Sequence, residues 1–261
     1  MRHTFVICAY KESEFLEECI KSVLNQKHKS DVVIATSTPN DYINKMAKKY
    51  KLKIYKNPKP GRGIGYDFDF ASNCVKSDII TIAHQDDIYD YEYSYEVVDT
   101  YKKYSDSSII FTDYYEIRNN KKEYKNKNLT IKRFLLFPLK NKKLGKYKFF
   151  RRLVIRFGNS ICCPAVSFVQ KNVPKEKFSS DLKCDVDWFA WEKISKEKRR
   201  FVFISKALMG HRIDETTTTT KIISEGIRTK EDLYIYKKFW PEMIAKILNS
   251  FYVKSEDNNS K

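Results

Sequence analysis

The 261-residue chain is predicted to be an α/β protein with a mostly parallel central sheet flanked by helices. Three observations carry that expectation. Short β-branched apolar runs alternate with segments of helical period over the first half of the chain. Those runs are apolar on both faces, as strands must be when helices cover each side of a parallel sheet. One of them, Ile79-Ile80-Thr81-Ile82, runs on through Ala83-His84-Gln85 into the adjacent carboxylates Asp86 and Asp87. That places two acids at a strand's carboxyl end, where open α/β sheets bind their ligands.

Thr4-Phe5-Val6-Ile7-Cys8-Ala9 is the first buried strand, and Tyr10-Lys11-Glu12-Ser13 is the polar turn after it. Phe15, Leu16, Cys19, Ile20, Val23 and Leu24 recur at helical spacing, which predicts an amphipathic helix over 14–25. Val32-Val33-Ile34-Ala35 forms the centre of a second strand, 31–36, and Pro39 suits the first turn of a helix running to about Tyr50. Leu52 to Tyr55 is a third strand. This alternation implies parallel pairing through right-handed crossovers.

Asn57 to Gly65 is a loop by its Pro and Gly content. Its glycines alternate and do not form the dinucleotide fingerprint. Its amides and Arg62 suit a phosphate; a plain connector explains the composition equally well. A helix over 66–76 then leads to the central strand, followed by a helix over 92–104 and strands at 108–113 and 165–169. Asp185-Val186-Asp187 opens a helix with acids in its first turn, which suits the dipole. Residues 201–204 form the last strand and 230–252 a helical tail. The expected organisation is one domain over 1–220, with a basic, partly amphipathic insertion at 118–157, and a C-terminal helical extension over 221–261.

Net charge is +17, which calls for an anionic partner: nucleic acid, a phosphorylated substrate or an anionic membrane. The excess concentrates between Ile131 and Arg156, where ten Lys or Arg and no acid alternate with Phe, Leu, Val and Ile. Such a segment suits a headgroup plane, a basic hairpin with solvated charges, or a phosphate-backbone surface. No apolar run approaches the ~18 residues of a membrane span, the first residues lack a signal peptide, and the six cysteines lack framework spacing. A cytoplasmic protein with reduced thiols is expected, peripheral at the inner face of the plasma membrane if the insertion docks there.

Adjacent carboxylates repel each other, and a bound divalent cation removes that cost. Mg²⁺ and Mn²⁺ favour oxygen ligands. The same pair would also serve as a solvated turn or a helix N-cap.

Further motifs stand in order: Ala9-Tyr10-Lys11-Glu12, Ser22-Val23-Leu24-Asn25-Gln26, the Gly-rich loop, His84-Gln85-Asp86-Asp87, Asp187-Trp188, and His211-Arg212 followed by Thr216 to Thr220. Over roughly residues 1–220 this order resembles the family 2 glycosyltransferases, inverting nucleotide-sugar enzymes of the GT-A fold. The resemblance implies transfer of a sugar from a nucleoside-diphosphate sugar, a UDP-sugar foremost. The acceptor would be a hydroxyl of a glycan or lipid-linked saccharide, as in bacterial surface polysaccharide synthesis, with Mn²⁺ or Mg²⁺ as cofactor. It assigns Asp87 and His211 to the metal, and Asp86 to the metal shell or the ribose. Ala9, Tyr10, Glu12, Ser37, Arg62 and Arg212 go to the nucleotide sugar, and Asp187 becomes the base, with Asp185 its competitor. Two departures stand out. Gln85 occupies the place of the first Asp in the family's metal motif, which makes Asp87 the better ligand. Thr36-Ser37-Thr38 replaces the usual Asp that holds the nucleotide base.

Plainer readings stand beside these: Tyr10 as a surface aromatic, Glu12 as a helix N-terminal acid, Trp188 and Trp191 as core, and His211 as structural. The polar threonine run after His211-Arg212 favours a ligand-covering loop there. A nucleic-acid-binding protein would have no need of an acid pair after a buried strand. A nucleotidyltransferase would want a glycine-rich grip after the first strand, and Ala9-Tyr10-Lys11-Glu12 has no glycine.

Overall fold

Strands β1 (His3–Ala9), β2 (Asp31–Thr36), β3 (Lys53–Lys56) and β4 (Ile79–His84) pair in parallel, with Phe5 opposite both Val32 and Thr81. The computed structural model describes residues 1–213 and 226–257. Helices α1 (Leu16–Leu24), α2 (Asp41–Tyr50) and α3 (Ile64–Asn73) form the crossovers. Asn40 caps α2 by accepting from the Ile43 amide at 2.9 Å. The helix ends at Lys51 in the left-handed region.

Beyond β4 come β5 (Ile88–Tyr89), α4 (Tyr93–Lys103), β6 (Ser107–Arg118) and β7 (Lys121–Glu123). The insertion supplies α5 (Lys127–Leu136), two short 3₁₀ turns and α6 (Lys148–Leu153). Then follow β8 (Val166–Val169), α7 (Val186–Ser195), β9 (Arg200–Arg212), α8 (Ile227–Tyr236) and α9 (Glu242–Asp257). Among the described residues the sheet order is β3-β2-β1-β4-β8-β6-β9-β5, with β7 paired to β6.

The sheet is mixed. β8 runs antiparallel between β4 and β6, whereas β6 and β9 are parallel. Two strands are longer than their apolar runs suggest, β6 by continuing through Arg118 and β9 by reaching Arg212. His211 and Arg212 are therefore the last residues of a strand, not part of a covering loop. Thr216 to Thr220 lie outside the described residues. The expected tail is two helices, broken at Pro241.

Alternation along β6 sends Ile110 into the cluster under α1, α2 and α4, and sends Ile109 and Phe111 into the cluster with Trp188 and Trp191. Both tryptophans are fully buried, which settles them as core. The Trp188 indole donates to the Ile155 carbonyl at 2.8 Å. Tyr236 and Ala245 of the last two helices are buried in that second cluster too.

Candidate functional site

The centre of the site is the turn after β4. Asp87 is fully buried. Its Oδ1 accepts from the Arg212 amide at 2.9 Å and faces His211 Nδ1 at 3.0 Å. Among the described residues its Oδ2 has no hydrogen-bond partner, and it lies 3.8 Å from His84 Nδ1. The other ring nitrogen of His84 is also buried without a partner. Ligand atoms of His84, Asp86 and Asp87 all fall within 4.8 Å of one another. Two orphaned buried polar atoms in a set of one imidazole and two carboxylates fit a divalent cation, because such atoms are costly without a partner.

Electrostatics follow from burial. Desolvation, then the charge of Asp87, push the Asp86 carboxyl up to about 6. Desolvation pulls His84 down to about 4, so its imidazole is neutral and available as a ligand. Desolvation also opposes charge on His211, but Asp87 and Asp86 outweigh it and raise that pKa.

Arg212 is buried, and its guanidinium is engaged by the protein. It donates to the Asp86 carbonyl at 3.0 Å, Asn120 Oδ1 at 3.0 Å and Glu18 Oε2 at 2.6 Å, and lies 4.0 Å over the Phe15 ring. It braces the acidic turn against α1 and β9.

Gln85 explains itself by geometry. Its side chain exchanges two hydrogen bonds with the Tyr10 backbone, both at 2.9 Å, and so ties the end of β1 to the acidic turn. Ala9 is buried at the end of β1, while Tyr10 and Glu12 are exposed beyond it. Lys11 holds a left-handed φ of 55° and donates to Thr38 Oγ1 at 2.6 Å. Ser37 donates to Asp67 of α3 at 2.8 Å, and the same carboxylate accepts from Asn57. One helix thus fixes the loops after both β2 and β3. In the Gly-rich loop, Gly61 and Gly63 take φ of +82° and +107°, a region glycine enters freely. Arg62 there is exposed and rests 3.9 Å over the Tyr66 ring.

Asp187 stands on the first turn of α7. Its Oδ2 accepts from Asn159 at 2.9 Å and its Oδ1 from the Trp188 amide at 2.7 Å. Burial raises its pKa, and those two bonds oppose the rise. Asp187 and Asp87 both raise the pKa of Cys162 and Cys163, so the two acids share the electrostatic surroundings of that dipeptide. Asp185 is buried instead, with burial and then Asp232 driving its carboxyl far upward.

The structure brings Asp86, Asp87, His211 and Arg212 together, with Tyr10 tied to them through Gln85. Ser37 and Arg62 stand on neighbouring loops. His84 was not among the residues expected at the site; its place three residues before Asp87, at the last position of a buried strand, was the available signal.

The model of glycosyl transferase family 2 matches residues 4–175. The chain belongs to that family. It is a glycosyltransferase of the GT-A fold, with the mixed sheet and flanking helices just described. No curated protein sequence matches the chain. Among solved structures, residues 1–349 of S. aureus TarS in complex with UDP-GlcNAc superpose with a TM-score of 0.66 at 13% identity, covering 97% of this chain and 72% of that one. The mannosyltransferase PcManGT from Pyrobaculum calidifontis, in complex with GDP-Man and Mn²⁺, gives 0.64 at 12% identity, covering 97% and 72%. The longer TarS structure gives 0.60 at 13% identity, and the chain covers 42% of it.

Proposed function

We propose that this glycosyltransferase moves a sugar, with inversion, from a nucleoside-diphosphate sugar to a hydroxyl of a glycan or lipid-linked saccharide. The observation that carries the reading is the acid-imidazole cluster of His84, Asp86 and the buried Asp87, with Asp187 acting on the same Cys162-Cys163 dipeptide as Asp87. Asp87 and His84 would hold a divalent cation, joined by Asp86 and by the outer nitrogen of His211. Such a cation, when bound, neutralises the diphosphate as it leaves. Asp187 takes the proton of the acceptor hydroxyl, its carboxylate aimed by Asn159 and the Trp188 amide. Tyr10 stacks on the nucleotide base, Glu12 and Ser37 face the nucleoside, and Ala9 lines its seat. Arg62 turns from Tyr66 to the diphosphate. Arg212 acts indirectly, by holding the acidic turn in place.

A UDP-sugar is the proposed donor; TarS and PcManGT are seen with UDP-GlcNAc and GDP-Man respectively. The acceptor side belongs at an anionic membrane surface. Ile131, Phe134, Phe137, Tyr147 and Phe149 of the insertion are all exposed among lysines, the pattern of an interfacial segment. Among the described residues no helix is long and apolar enough to cross a membrane. Surface polysaccharide synthesis is the process that fits such a donor, acceptor and place.

Thermal shift with UDP and GDP, each with and without Mn²⁺, tests the donor side. Saturation at about a hundred times Kd stabilises by about 2.7 kcal/mol. The wild type should show a Mn²⁺-dependent shift, larger with UDP. Asp87→Asn should show none while keeping its circular-dichroism spectrum. An undiminished shift in that variant would overturn the site.

A further inference from the structure

The insertion carries more than a surface. Helix α5 is fixed in rotation at both ends. Asn126 caps it by accepting from the Leu129 amide at 2.8 Å, and donates to the buried Glu116 at 2.8 Å. Arg133 donates to Asp113 Oδ2 at 2.7 Å and to the Tyr114 carbonyl at 3.0 Å. With Arg133 held on β6, the preceding side chain is turned over the Tyr114 ring, and Lys132 Nζ lies 5.4 Å from its centroid. The same ring meets His211 edge-on at 6.2 Å between centroids, and His211 contacts Asp87. Lys132 is half-buried. Among the described residues it has no carboxylate within ion-pair distance, yet its charge is felt at Asp187, His211 and Cys162.

An ammonium partly out of water, with no carboxylate against it, is stabilised by an anion arriving as ligand. The site above is read as one where a diphosphate acquires charge during transfer, which a preplaced cation would offset. We propose that Lys132 is an oxyanion-binding residue of the transfer site, a cation that the insertion delivers to a substrate diphosphate. The proposal rests on the glycosyl-transfer reading for the origin of that diphosphate. It can come from the nucleotide donor or from a lipid-linked acceptor; the chemistry of recognition is the same.

Calorimetric titrations in Mn²⁺ of wild type, Lys132→Gln, Lys132→Arg and Lys127→Gln separate the cases, with pyrophosphate, UDP, uridine and farnesyl diphosphate as probes. Lys132→Gln should weaken pyrophosphate by about tenfold, the scale of one charged hydrogen bond. Lys132→Arg should restore most of it, and Lys127→Gln, which removes an exposed charge from the same helix, should change nothing. Loss extending to UDP but not uridine identifies the donor's diphosphate; loss extending to farnesyl diphosphate but not UDP identifies the acceptor's. Unchanged affinity of Lys132→Gln for all three diphosphates overturns the proposal. A wild type that binds pyrophosphate but not UDP would instead sink the donor reading, and Lys132 would still be judged on pyrophosphate. A wild type that binds no diphosphate overturns both.

Discussion

At Asp187 two donors hold the carboxylate, and the residue stays half-buried. At Asp185 burial and Asp232 favour the neutral acid. These surroundings give opposite expectations for one substitution. Asp187→Asn should cut turnover by about a hundredfold or more, the usual contribution of a general base, and leave Mn²⁺-dependent UDP affinity within about twofold. Asp185→Asn replaces a carboxyl whose surroundings favour the neutral acid by a neutral isostere, and should stay active. A dead Asp185→Asn beside an active Asp187→Asn would reverse the assignment. The sequence made Asp86, Asp87 and Asp187 legible because each follows a recognisable strand or opens a helix. The bonds Arg212 makes were not legible, because Glu18, Asn120 and the Asp86 carbonyl meet it only through tertiary contacts. His84 was hidden for a related reason: a histidine ending a strand looks structural until the orphaned Asp87 Oδ2 is seen beside it.

At the scale of elements, the insertion sorts its cations. Arg151 is buried and donates to the carbonyls of Gly145, Lys146, Ser195 and Glu197. Arg152 pairs with Glu192 at 2.8 Å, and Arg133 with Asp113. These guanidiniums staple the insertion to the core. Lys140, Lys143, Lys146 and Lys148 remain exposed, beside Phe134, Phe137 and Phe149, which are 78%, 66% and 62% exposed. At about 1 kcal/mol per lysine near an anionic surface, these four give substantial binding before any ring inserts. The protein should co-sediment with anionic vesicles and not with neutral ones, less so at high salt, and changing Phe134 and Phe137 to Ser should weaken binding further. Absence from anionic vesicles at low salt would return the patch to plain solvation. Strand ends were the least legible elements, and β9 shows why. Its pairing with β6 skips from Ile204 to Ala207 and again from Ala207 to Gly210. The bulges push Ser205 and Lys206 into solvent, which ends the apolar run while the strand continues. Gly210 is required there, because a Cβ would fall 2.6 Å from the Tyr115 ring.

For the molecule as a whole, acid sensitivity is built in at the far end of β1. His3 is buried between Ser30 and Thr81, and burial, then His28, hold its pKa down at about 3. The unfolded chain takes up that proton near 6.5. The histidine's contribution is therefore complete above pH 6.5 and is lost as pH falls toward 3. Relative to His3→Gln, wild-type stability to urea should fall by about 2 kcal/mol between pH 8 and pH 5. A constant difference would remove His3 from the account. Asp87 has a wider consequence. Its Oδ1 is satisfied by His211 and the Arg212 amide, 124 and 125 residues further along the chain. β1 to β4 can pair as soon as residue 84 is available, but the acid after β4 gains its partners only when the last strand closes on β6. Contacts so distant in sequence are slow to close, because the loop entropy between them is lost first. The cation site proposed at this turn would thus be complete only in the finished fold, and Mn²⁺ binding during refolding would mark the docking of β9.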